Sequence, residues 1–63
     1  MTVNGETHPG TPATVVALID ELALVGRRIA VSVNGTVVPR STWQTHALTA
    51  DDQIEIVHAV GGG

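Results

Sequence analysis

Gln53-Ile54-Glu55-Ile56-Val57-His58-Ala59-Val60, followed by Gly61-Gly62-Gly63, is the stretch on which the reading of this chain turns. It is the longest period-two run in the sequence, and alternation of this kind marks a strand with one covered and one open face. Ile54 and Ile56 point to one side; Glu55, Val57 and Ala59 point to the other. A strand this apolar on one face belongs inside a sheet, so residues 53–60 are expected to pair centrally, beside the first strand. Three glycines then leave from that support. Glycine packs no side chain and loses more backbone entropy on ordering than any other residue, so such an end adds little to a fold. Either it frays without purpose, or its thinness and its terminal carboxylate are the function. Extended, three residues reach roughly 10 Å, enough to carry a carboxylate along a narrow channel that any Cβ would block.

Working backwards, Asp51-Asp52 supplies the polar turn before that strand. Ile29-Ala30-Val31-Ser32-Val33 also alternates and meets Asn34-Gly35, a two-residue hairpin signal, before the short strand Val37-Val38. Pro39 through Trp43 reads as a single helical turn with proline near its start. At the other end, Met1-Thr2-Val3 runs into Asn4-Gly5 and a second strand near Glu6–His8, stopped by Pro9, Gly10 and Pro12. Between the hairpins lies the one long helix. Thr14 is the candidate N-cap, and Val15, Leu18, Ile19 and Leu22 form an apolar stripe over about three turns, with Gly26 suited to the C′ position. The order is strand, strand, helix, strand, short strand, long strand. The helix must cover one face of one sheet, because neither buries its apolar side alone. This is an α+β fold of two layers, a mixed sheet of four to five strands, with Met1, Val3, Val31, Val33, Ile54 and Ile56 meeting the helix.

Size and composition narrow the function. A chain of 63 residues has room for one core and little for an internal cleft. It has no cysteine, which removes disulfides, thiolate metal sites and thiol chemistry of its own. Its net charge is −3, and Arg27, Arg28 and Arg40 are its only fixed cations. Nucleic-acid binding calls for a basic face and is discounted; the mild acidity suits a partner with a basic docking surface. No apolar run approaches the ~20 residues of a membrane span. The start, MTVNGE, lacks a signal peptide's pattern, so no membrane is expected and the cytoplasm is the expected location.

The order ββαββ with a terminal Gly62-Gly63 resembles the ubiquitin-like β-grasp sulfur carriers. More narrowly, "VSVNGTVVPRSTWQTHAL" (31–48) with "DDQIEIVHAVGGG" (51–63) is similar to the ThiS family, carriers of thiamine thiazole synthesis. Val33-Asn34-Gly35, Val38-Pro39-Arg40-Ser41, Trp43 and the terminal glycines carry the likeness; the second strand is shorter than the family's usual one. The resemblance implies a β-grasp domain over 1–60 and a flexible glycine tail over 61–63. It implies that an E1-like adenylyltransferase of ThiF type, using ATP and Mg²⁺, adenylates the carboxylate of Gly63. Sulfur-donor proteins then help turn it into a thiocarboxylate, which gives sulfur to a thiazole synthase of ThiG type. The chain itself would be a protein cosubstrate and not an enzyme, with no bound cofactor, no metal and no catalytic side chain.

Other chemistry is poorly supported. His8, His46 and His58 fall on separate elements without ligand spacing and are expected to face solvent. Asp51, Asp52 and Glu55 read as turn and strand-surface polarity. Ser41 and Thr42 have no oriented histidine–carboxylate pair behind them. Nothing combines a phosphate-cradling glycine loop with lysine. Trp43 is expected to pack the short turn against the body, and Arg40 to close local carbonyls. The expected partner surface is Val57, Ala59 and Val60 on the uncovered sheet face, continuing into Gly61, Gly62 and Gly63. Alternative readings are a related carrier serving molybdopterin or cysteine synthesis, a ubiquitin-like modifier joined through Gly63 to target lysines, and an interaction domain with an inert tail.

Overall fold

The computed structural model describes residues 1–59; Val60 and the expected tail Gly61–Gly63 lie outside the described residues. Five strands form one sheet: β1 (Thr2–Val3), β2 (Glu6–Thr7), β3 (Ile29–Val33), β4 (Thr36–Val38) and β5 (Gln53–His58). Both hairpins turn where expected. Asn4 and Gly5 have φ of 51° and 83°, and Asn34 and Gly35 have 52° and 84°, the paired positive angles of a type I′ turn, whose twist matches that of the flanking strands. The space beside Gly35 is open, so its backbone angle alone, and not crowding, favours glycine there. β2 is only two residues long, yet it pairs antiparallel with β1, Thr2 opposite Thr7 and Val3 opposite Glu6.

The strand order is β2-β1-β5-β3-β4. β5 is central, as the sequence requires, parallel to β1 and antiparallel to β3. It ends at His58 rather than at Val60. One further rung is made by the Ala59 N–H, which donates to the Arg28 carbonyl at 2.8 Å.

The single α-helix, α1 (Val15–Glu21), is capped as predicted: Thr14 is extended and its Oγ1 accepts the Ala17 N–H at 3.3 Å. The helix is shorter than its apolar stripe implies, seven residues instead of about three turns. Leu22 is the C-cap, and the left-handed C′ residue is Ala23 at φ 58°, not Gly26. The Ala23 N–H donates to the Asp20 carbonyl and the Leu24 N–H to the Ile19 carbonyl, both at 3.0 Å, the paired bonds of a Schellman ending. This early stop turns Leu22 and Leu24 back onto the core, where both are partly buried. Gly26, at φ 81°, serves the next turn, closed by the Arg27 N–H on the Leu24 carbonyl. Burial of leucines on the core outweighs the cost of a left-handed alanine, about 1–2 kcal/mol.

Val15, Leu18 and Ile19 of the helix meet Ile29, Val31, Val33, Ile54 and Ile56 of the sheet; all are buried. Met1 and Val3 pack against this cluster as expected, partly exposed. Val38, Trp43 and Leu48 close its other end. Trp43 follows a 3₁₀ turn at Arg40–Thr42, and its indole N–H donates to the Val38 carbonyl at 2.9 Å. The single aromatic ring thus fastens the turn to the strand before it. Among the described residues no helix is long and apolar enough to cross a membrane.

Candidate functional site: the end of the central strand

A strand that presents a working end must not move at its base. β5 is held from both sides by the two hairpin turns. On the β1 side, Asn4 continues the ladder with its side chain: Oδ1 accepts the Ile56 N–H at 2.8 Å and Nδ2 donates to the Ile56 carbonyl at 3.2 Å. On the β3 side, Asn34 Oδ1 accepts the Gln53 N–H, while Nδ2 donates to Asp52 Oδ1, both at 2.9 Å. Asp52 is itself buried, and its Oδ2 accepts the Thr49 N–H at 2.8 Å. These two bonds, the Thr49 N–H first and the Asn34 amide second, hold the Asp52 carboxyl below its ordinary value. The sequence shows both asparagines as turn residues and Asp52 as turn polarity. Their second role follows from the sheet order, which brings each turn against β5.

The open face of the sheet matches the alternation. Val57 is 59% exposed and Ala59 is exposed, while Ile54 and Ile56 lie underneath. Val57 stands opposite Ala30 in the β3–β5 register, and Val37, 65% exposed, stands on β4 opposite Ser32. Ala30 is exposed too. The apolar surface therefore runs across three strands, wider than the expected Val57–Ala59 strip. The alternation in 29–33 already assigned Ala30 to this face; Val37 needed the hairpin register. Val60, Gly61, Gly62 and Gly63, the remainder of the expected partner surface, lie outside the described residues.

The other singled-out side chains act locally. His58 is exposed, but His8 is only 11% exposed, and its Nε2 lies 2.8 Å from Glu21 Oε1, so it joins the first hairpin to the helix instead of facing solvent. His46 is half-buried. No group of three metal-binding side chains comes together among the described residues. Arg40 donates from Nη2 to the Arg27 carbonyl at 3.0 Å, and its guanidinium lies 4.7 Å from the Trp43 ring centroid. Local closure is thus its role, as expected.

Known proteins extend this picture. The ThiS family model matches residues 1–63. A crystal structure of the thiamine biosynthesis protein ThiS from Geobacter metallireducens superposes with a TM-score of 0.80 at 29% identity, over 98% of this chain and 96% of that one. Thiazole synthases from Magnetococcus marinus and Paramagnetospirillum magneticum are 40% and 38% identical over 97% and 100% of this chain. This chain spans only about a fifth of their length. The uncharacterized protein ycf40 of Porphyra purpurea is 31% identical over 97% of this chain and 87% of its own. With a whole-length family match, this sheet order and a solved ThiS structure of the same shape, the chain belongs to the ThiS family, the small β-grasp sulfur carriers of thiamine biosynthesis.

Proposed function

We propose that this chain carries sulfur as a thiocarboxylate on Gly63, for thiazole formation. A carboxylate is a poor electrophile. Attack by a Gly63 carboxylate oxygen on the α-phosphorus of ATP, with pyrophosphate leaving, gives an acyl adenylate, a mixed anhydride with a good leaving group. An E1-like adenylyltransferase of ThiF type supplies the ATP site, with Mg²⁺ to neutralise the phosphates. Sulfur arriving through donor proteins displaces AMP and leaves the thiocarboxylate. A thiazole synthase of ThiG type receives it. The chain is a cosubstrate throughout. It holds no cofactor, and no side chain of its own takes part in the chemistry.

The observation that carries the reading is the placement of β5. The strand leading to Gly61–Gly63 is the central one, tied on both edges by Asn4 and Asn34. Such a base fixes the direction in which a glycine tail is offered. The open face beside it, Val57, Ala59, Ala30 and Val37, would seat a partner while Val60 to Gly63 enter its channel; an exposed apolar patch is a common mark of such contact. The two thiazole synthase relatives, each containing a region like this chain, favour thiazole over molybdopterin or cysteine synthesis as the destination.

The test is incubation with the cognate adenylating enzyme, ATP and a sulfur source, followed by intact mass. A gain matching exchange of one oxygen for sulfur is expected, and it should vanish when Gly62-Gly63 is deleted, with the melting temperature unchanged. Retained sulfur transfer without those glycines overturns the tail mechanism. Lysine-linked conjugates in extract would favour the modifier reading instead.

A further inference from the structure

The overall charge of −3 conceals a local excess of the opposite sign. Arg27, Arg28 and Arg40 are the only lysine or arginine residues in the chain. They lie 13 positions apart at most, and the fold gathers them at one corner. Arg40 Nη2 is on the Arg27 carbonyl at 3.0 Å, and the Arg28 carbonyl accepts the Ala59 N–H at 2.8 Å. That corner is the place where β5 gives way to the tail. All three arginines are exposed, and among the described residues none is paired with a carboxylate.

The acids lie elsewhere. Asp51 and Asp52 precede β5 at its opposite end, roughly 20 Å away along the strand. Glu6 is on the outermost strand and Glu21 is engaged by His8. Arg28, one residue before Ile29, falls on the same side of β3 as Ala30 by alternation, so it borders the open apolar face. Arg40 is preset: one of its N–H groups is used by the Arg27 carbonyl and its plane is steadied by the indole. Four donors of its fork remain for a carboxylate.

We infer that this arginine corner is a docking element that meets a carboxylate-lined rim at the mouth of the channel into which a partner takes the tail. The inference rests on the carrier reading above. Four residues separate Ala59 from Gly63, about 13 Å when extended. An arginine fixed at the base therefore faces the entrance, not the nucleotide phosphates at the reacting end. Opposite charge at an entrance orients the approach and raises the association rate, and salt weakens it. The partner's contact at this corner is acidic, contrary to what the chain's net charge implies.

The experiment measures ATP–pyrophosphate exchange by the cognate adenylating enzyme, against carrier concentration, at low and high NaCl. Arg27→Glu with Arg28→Glu should lower kcat/KM for the carrier about tenfold or more at low salt. Maximal exchange at saturation and the melting temperature should be unchanged. Wild-type kcat/KM should fall with NaCl, and that of the double variant should not. The milder Arg27→Gln with Arg28→Gln should lie between them, which keeps the test valid if charge reversal disturbs folding. An unchanged kcat/KM and salt slope, or tighter binding on reversal, overturns the inference. So does binding of Mg-ATP alone at these arginines in an NMR titration. The chain lacking Gly62-Gly63 separates the two readings. If it still supports exchange, the carrier reading fails; if it does not and the arginine variants are silent, only the docking corner fails.

Discussion

The side-chain amide of Asn34 donates to Asp52 Oδ1 at 2.9 Å, joining the tip of the second hairpin to the residue that opens the central strand. The same asparagine accepts the Gln53 N–H, and the same aspartate accepts the Thr49 N–H. Every polar atom of this small network has a partner, and none of the described buried side-chain polar atoms is unsatisfied. Removing one member leaves another stranded. Asn34→Ala should therefore cost about 1–3 kcal/mol, read as a lower urea midpoint with an unchanged m-value. A loss below a few tenths would show that water replaces the amide without penalty.

The same carboxylate sets an acid limb. Its folded pKa lies below the ordinary value because the Thr49 and Asn34 bonds favour the ionised form. The stabilisation is therefore complete above the unfolded carboxylate pKa and is lost as pH falls from there through the lower folded value. Asp52→Asn should flatten that limb while lowering stability near neutrality. Chemical denaturation from pH 7 down to pH 2 checks both; an unaltered acid slope would assign the limb to other acids.

Ala23 occupies a left-handed position that costs an L-residue about 1–2 kcal/mol and costs glycine none. Against this, glycine adds unfolded-state entropy. The net expectation for Ala23→Gly is stabilisation of about 0.5–1 kcal/mol, with no change in the sheet. A lower melting temperature would mean that the alanine methyl makes contacts worth more than the backbone strain.

Leu18 and Val57 should behave oppositely. Leu18 is fully buried, and Leu18→Ala should cost about 2–5 kcal/mol. Val57 is 59% exposed on the open face. Val57→Asp should cost at most about 1 kcal/mol of stability and yet weaken binding to the adenylating enzyme. Unfolding of the Val57 variant, or unchanged binding, would remove the open face from the proposed interface.

Most of the fold is legible in the residues because its signals are local. Asn4-Gly5 and Asn34-Gly35 demand their turns, Thr14 caps the helix it precedes, and alternation in 29–33 and 53–58 places each side chain on the correct face. The helix end was hidden. A glycine three residues further on is the stronger local signal, and only the pull of Leu22 and Leu24 toward the core decides against it. The bracing of β5 was hidden for a similar reason. Asn4 and Ile56 are 52 residues apart, and no spacing rule relates them. The covering of His8 likewise depends on Glu21 reaching it from the helix.

The strand at the middle of the sheet is also the last of the five to be synthesised. Until Gln53–His58 leave the ribosome, β1 and β3 have nothing between them, and the two hairpins cannot join. Each is too small to persist alone in water. Folding must therefore wait for nearly the whole polypeptide, and a product interrupted before residue 53 has no sheet to build. Translation itself thus acts as a checkpoint: only a finished body can offer the end that its enzymes seek.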